Sequence, residues 1–230
     1  MPTDVQELIQ SLVRSERLYG QRDAKRKPEK PVVTVSRDLG AGGGEIARRL
    51  SGALGIEIWD RQILDAVAES AKSSPELMSK LDDKIKTGKD TWIYNLLSGQ
   101  NAFLTSYRHH LVNVMLALSQ LGGIVIGRGG HLILANRPIF RLRVVGSPAS
   151  CARRVADRQE MDFDTSLSEV KRVNKEREQF LWSAFRRHLN EPEYFDLIVN
   201  TDHFNDRWDE ITELILNAMK LVRLGEREPE

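Results

Sequence analysis

Gly40-Ala41-Gly42-Gly43-Gly44 follows closely on the β-branched run Val32-Val33-Thr34-Val35, and Ile46, Ala47, Leu50, Ala53 and Leu54 then recur at helical spacing. A strand that feeds such a turn into a helix aims several backbone N–H groups at one point, and the positive end of the helix dipole adds to their pull. Larger side chains would keep an anion away from those amides, and some positions of the turn need φ > 0. The chemistry this suits is polyphosphate binding, with Arg37–Gly44 as the loop. Three readings stay open. The glycines could form only a tight connection. They could belong to a dinucleotide fold, since Asp60 lies at the expected distance of about 20 residues, but Glu45 occupies the last glycine position of G-x-G-x-x-G. Or the loop could bind phosphate without catalysis. Setting Gly42 at the second glycine of the Walker pattern puts Arg37 at the first glycine, Gly43 at the lysine and Gly44 at the Ser/Thr that meets magnesium. Gly43 is expected at a φ that lysine tolerates poorly, which leaves Arg37 as the nearest source of the missing charge.

The elements that must position this loop can be read along the chain. Strands are expected at Val32–Val35, Ile56–Trp59, Gly123–Ile126, Phe140–Val145 and Phe195–Val199. Helices are expected after the glycines, around Ala149–Arg158, over Ser166–Trp182 and over Trp208–Leu224, with consecutive helices filling Arg61–Gly122. Alternating strands and helices imply right-handed crossovers and an α/β fold of the P-loop NTPase type: three layers around a mostly parallel five-stranded sheet, with an inserted helical subdomain. The expected divisions are an N-terminal helix and basic linker over 1–30 and a kinase-like domain over 31–224. Within that domain, about 61–122 would be helical and about 150–185 a lid; a charged tail over 225–230 follows. Ligands of such sheets bind at the carboxyl ends of the strands, where Arg128 lies between Gly127 and Gly129.

The stretch Val33-Thr34-Val35-Ser36-Arg37-Asp38-Leu39-Gly40-Ala41-Gly42-Gly43-Gly44-Glu45-Ile46-Ala47 resembles the signature of the cytidylate kinase-like family, whose loop runs S-R-x-x-G-[SA]-G-G. The resemblance continues at Trp59-Asp60-Arg61, at Ile126-Gly127-Arg128-Gly129 and at Tyr194–Thr201, and spans about Pro31 to Met219. It implies transfer of the ATP γ-phosphate, with Mg²⁺ carried by the donor, to a nucleoside monophosphate such as CMP or dCMP. Gly40, Ala41, Gly42, Gly43 and Gly44 would hold the donor phosphates. Asp60, Arg61 and Arg128 would hold the acceptor. Arg37 and the lid arginines Arg154, Arg158 and Arg177 would act on the transferring group, guanidinium forks being suited to phosphate oxygens. Three departures stand out. The family's D-S-G-x-x-Y-R reads Asp60-Arg61-Gln62-Ile63-Leu64-Asp65-Ala66, the Asp of G-R-D is Gly129, and the lid's D-x-x-R is Asn174-Lys175-Glu176-Arg177. A non-catalytic nucleotide sensor and a kinase for another small metabolite are the rival functions.

Bulk properties narrow the rest. The 34 basic and 33 acidic residues leave a net charge of +1, so no global field draws the chain to nucleic acid or a membrane surface. One cysteine, Cys151, excludes an intrachain disulfide and a cysteine zinc site. His109, His110 and His188 show no metal spacing, and no metal site is assigned. The apolar positions of Trp92–Leu118 suit a subdomain core. No signal peptide or bilayer-length apolar run is visible, which leads to a cytoplasmic expectation. Val5, Leu8, Ile9, Leu12 and Val13 form a helical stripe that would dock on the core or on a second copy in a homodimer. If the helix is peripheral, a chain beginning at Lys30 stays folded, binds ATP and melts within about 4 °C of the full chain. Aggregation, or a larger drop in calorimetric melting temperature, would make the helix part of the core or of a subunit interface.

Overall fold

The computed structural model describes residues 30–60, 64–65 and 102–222. Strand β1 (Val32–Arg37) leads into helix α1 (Gly43–Leu54), and β2 (Ile58–Trp59) follows. Helix α2 (Ala102–Leu121) precedes β3 (Gly123–Ile126), and one short helical turn, α3 (Gly130–Ile133), separates it from β4 (Phe140–Val145). Helices α4 (Pro148–Gln159) and α5 (Phe163–Phe185) come next, then β5 (Leu197–Asn200) and α6 (Trp208–Leu221). Every strand expected from the sequence is present; the third and fourth keep the expected bounds and the other three have moved ends. The first runs on to Arg37, the second keeps only its last two residues, and the fifth starts at Leu197 because Phe195 has left the ladder. The last helix stops at Leu221, and α3 was not anticipated.

The five strands are parallel in the order β2-β3-β1-β4-β5. That order removes the dinucleotide reading, which needs β2 beside β1; here β3 and β4 flank it. With β1 central, the loop after it opens at the carboxyl edge between the ends of β3 and β4.

Alternation along the strands divides the core in two. Val33 and Val35 of β1 and Phe140, Leu142 and Val144 of β4 pack against Ile46 and Leu50 of α1 and Ile211 and Ile215 of α6. On the other face, Val32 and Val125 meet Leu111, Met115 and Leu118 of α2 and Leu181 and Phe185 of α5. The side chains of Leu111–Leu118, expected in the core of a separate subdomain, pack instead in the core beneath the sheet with Val32 and Val125. The same alternation sends Thr34, Ser36, Arg141 and Arg143 to the second face, where all four are buried. Two carboxylates answer the arginines. Arg141 donates from Nε and Nη2 to the two oxygens of Asp196 at 3.2 and 2.9 Å, and Arg143 Nη2 donates to Asp38 Oδ1 at 2.6 Å. Buried charges persist when paired in this way, because an unpaired one would keep the whole desolvation cost.

Candidate functional site

Arg37 closes β1 rather than opening the loop: it stands opposite Val144 in the ladder, and Asp38 N–H still donates to Val144 O at 3.0 Å. The turn beyond it is tied on three sides. Ala41 N–H donates to Asp38 O at 3.3 Å, Leu39 N–H donates to the Asn174 side chain at 2.8 Å, and Thr201 Oγ1 donates to Ala41 O at 3.1 Å. Trp208 lays its ring over Gly42. Gly42 then caps α1 in the left-handed region with no side-chain hydrogen bond to the first turn. The amides of Gly43, Gly44 and Glu45 have no acceptor within the helix, which is the arrangement that receives phosphate oxygens.

Gly43 holds no positive φ, contrary to the sequence expectation. A Cβ there would lie 2.6 Å from Arg37 Cβ and 2.9 Å from its Cγ, so the stem of Arg37 fills the space into which a loop lysine would leave. The head of Arg37 runs on to Gly127, where an added Cβ would meet Nη1 at 2.6 Å. Gly127 therefore makes room for the guanidinium. Gly44, at the position of the magnesium-meeting hydroxyl, supplies no side-chain ligand, and no ligand for Mg²⁺ is assigned from this chain.

The guanidinium enters a cavity of about 310 Å³ between the carboxyl ends of β1 and β3 and the flank of α5. Arg37, Arg128 and Arg177 line it with Ser36, His131, Glu176, Phe180 and Leu189. Arg128 sits in the left-handed region, φ 52, between two glycines that share it, and its guanidinium lies 4.7 Å from the centre of the Phe180 ring. Asp65 takes both prongs of its fork, at 3.0 and 2.5 Å. Gly129, which replaces the family's Asp, is pressed by the Phe185 ring, leaving no room for a side chain. Arg177 Nη1 donates to Arg37 O at 2.8 Å, so α5 is tied both to the loop and to the end of β1.

The other expected residues distribute unevenly. Arg154 donates to Gly40 O at 3.5 Å and to Asp206, Thr201 O and Thr201 Oγ1 at 2.6, 2.8 and 3.1 Å, which ties the loop to the turn after β5. Arg158 is exposed on the last turn of α4, away from the cavity lining. Asp60 follows β2, where its carbonyl accepts from Leu64 N–H at 2.9 Å, and does not line the cavity. Arg61 lies outside the described residues, as do the N-terminal segment and the tail. Among the described residues no group of three His, Cys, Asp or Glu side chains could hold a metal ion. Sequence reasoning missed Asn174, Asp38, Arg143 and His131. One signal was there to read: arginines alternating with Phe140, Leu142 and Val144 inside a buried strand must find carboxylates.

Residues 32–203 match the model of the cytidylate kinase-like family. No curated protein matches the chain. Among solved structures, an uncharacterized protein from Eubacterium ventriosum superposes with a TM-score of 0.66 at 16 % identity, over 84 % of this chain and 100 % of its own. Shikimate kinase from Bacteroides thetaiotaomicron gives 0.45 at 14 % identity, over 84 % of this chain and 99 % of its own. TT1252 from Thermus thermophilus gives 0.45 at 17 % identity, over 86 % and 100 %. The first of the three shares the fold.

His131 stands on α3 with Nδ1 3.1 Å from Ser36 Oγ and its ring stacked on Phe195. Burial, helped by the nearby charges of Arg143 and then Arg141, pushes its pKa from 6.5 down to about 3. The folded chain thus keeps a neutral imidazole where the unfolded chain takes up a proton below pH 6.5. Its stabilising share is complete above that pH and is lost as pH falls toward 3, by about 3 kcal/mol at pH 4. His131→Phe should lose about 3 kcal/mol less than wild type between pH 7 and pH 4 in urea unfolding. Equal losses would show that the native imidazole is protonated.

Proposed function

The chain belongs to the cytidylate kinase-like family, and from that premise we propose that it transfers the γ-phosphate of ATP in line to a nucleoside monophosphate, CMP or dCMP. The observation that carries this reading is the convergence of Arg37, Arg128 and Arg177 on one cavity beside the uncapped N-terminus of α1. The loop amides from Gly40 to Gly44, other than that of Ala41, which donates to Asp38 O, would receive the donor polyphosphate, and the Mg²⁺ carried by the donor would neutralise part of its charge. The acceptor phosphate enters the cavity and shares or displaces the Asp65 carboxylate at the Arg128 fork. Arg37 and Arg177 face the charge that develops between donor and acceptor, where forked, fixed donors favour the transition state most. Arg154 holds the loop in shape. Asp60, which lies off the cavity, and Arg61 keep the acceptor role that the family resemblance implies, and Arg158, exposed at the end of α4, keeps the lid role it implies. The enzyme positions and neutralises; no covalent intermediate is required.

The absent loop lysine and magnesium hydroxyl favour one second reading, a nucleotide sensor that binds through the same amides without turnover. Incubation with ATP–Mg²⁺ and a panel of phosphate acceptors, following ADP, separates the two: CMP- or dCMP-dependent ADP is expected. Micromolar ATP binding with no turnover of any acceptor would establish the sensor, and turnover indifferent to CMP would establish a different metabolite as acceptor.

Two substitutions divide the roles. Arg37→Ala lowers turnover by roughly 10²-fold with a smaller change in ATP affinity, the mark of a contact made mainly in the transition state. Equal losses in both would reduce Arg37 to a ground-state ligand. Arg128→Ala weakens the acceptor by roughly 10- to 150-fold and leaves ATP binding nearly intact, as read by titration calorimetry. Equal weakening of both nucleotides would make Arg128 structural.

A further inference from the structure

Arg128 is fixed from two sides by its own chain. Gly127, Arg128 and Gly129 are consecutive positive-φ residues, at 76, 52 and 72, a region that arginine visits only when its surroundings hold it there. Asp65 accepts from Nε at 3.0 Å and from Nη2 at 2.5 Å, so the carboxylate takes one forked edge of the guanidinium. The Phe180 ring, 4.7 Å away, covers one face. A guanidinium carries five N–H groups in one plane, and two of them are spent on Asp65. The other forked edge, Nη1 with the second hydrogen of Nη2, is left over. Arg128 and Phe180 line the cavity and Asp65 does not. The Arg128 side chain keeps 14 % of its surface accessible. The carboxylate therefore approaches from behind the lining, and a ligand in the cavity meets the part of the guanidinium that Asp65 leaves.

Charge gives the carboxylate a second use. Arg37 and Arg177 line the same cavity of about 310 Å³, and the Arg37 guanidinium comes against Gly127, next to Arg128. Like charges gathered at low dielectric repel, and a carboxylate outside the lining offsets this without filling the cavity. A phosphate that took both prongs from Asp65 would break one charge-assisted fork to make another. A phosphate at the remaining edge keeps both.

We propose that Asp65 is a positioning residue of the acceptor site: it stays on Arg128 when the acceptor binds and presents the remaining edge of the guanidinium to the acceptor phosphate. This rests on the acceptor-site reading above, in which the phosphate either shares Arg128 with that carboxylate or displaces it. Asp65 touches neither nucleotide and acts through Arg128.

The test is a double-mutant cycle, read by titration calorimetry with CMP and with ATP. It uses wild type, Asp65→Ala, Asp65→Asn, Arg128→Ala and the double variant Asp65→Ala with Arg128→Ala. Asp65→Ala should weaken CMP by roughly tenfold and change ATP by less than about twofold. Asp65→Asn keeps an oxygen for the fork and should hold CMP within about threefold of wild type. In the Arg128→Ala background, Asp65→Ala should weaken CMP no further. Tighter CMP binding by either Asp65 variant would show that the carboxylate competes with the phosphate, which overturns the proposal. A merely structural Asp65 would weaken CMP and ATP together, or weaken CMP as much without Arg128 as with it, and either result overturns the proposal too. Unchanged CMP affinity in Asp65→Ala, with a loss in Arg128→Ala, overturns it while leaving the acceptor site where it is. If the cycle runs as expected but no acceptor is turned over, the positioning role stands and the kinase reading falls. If wild type binds no CMP, both fall.

Discussion

Arg37 can reach the cavity only because the chain clears a path for it twice. Its stem runs under the loop where Gly43 has no Cβ to oppose it, and its head passes over Gly127, 84 positions further along the sequence. The two glycines belong to different strand–helix junctions, after β1 and after β3, and only the pairing of those strands brings them together. A side chain at either place would displace the guanidinium. The phosphate loop and the Gly127-Arg128-Gly129 turn are therefore one structure, organised around a single arginine.

That structure is held from outside by α5 and β5. Asn174 and Arg177, one turn apart on α5, grip Leu39 N–H and Arg37 O; Thr201 at the end of β5 grips Ala41 O. Arg143 holds Asp38 from below, and Asp38 is the residue at which the ladder gives way to the loop. Each tie uses a charged or polar side chain on a backbone group or a carboxylate at low exposure, where such contacts are stronger than at the surface. An element that moves α5 must break the Asn174 and Arg177 contacts together, which couples the α5 flank of the cavity to the loop.

The cavity thus has two chemistries. Its arginine side is cationic and already uses an internal carboxylate, Asp65. Its inner wall is neutral, lying over a layer in which arginines and carboxylates cancel.

By itself the sequence determined the order of strands and helices, the loop after β1 and the position of Arg128 at a strand end. Those features rest on local patterns: β-branched runs, helical spacing and glycines at junctions. It also carried the family resemblance, because motifs are runs of neighbouring residues. The tertiary structure alone decided that β3 lies beside β1, and so excluded a dinucleotide site that the spacing of Asp60 had kept open. It decided why Gly43 is glycine, which is the stem of Arg37 and not a positive φ. It separated Arg177, on α5 at the cavity, from Arg158, exposed at the end of α4, though both read as lid arginines. It also brought Ser36 to His131 across 95 positions. The physical reason is the same in each case: pairing register and side-chain burial depend on residues far apart in the chain, and local patterns do not specify which distant residues meet.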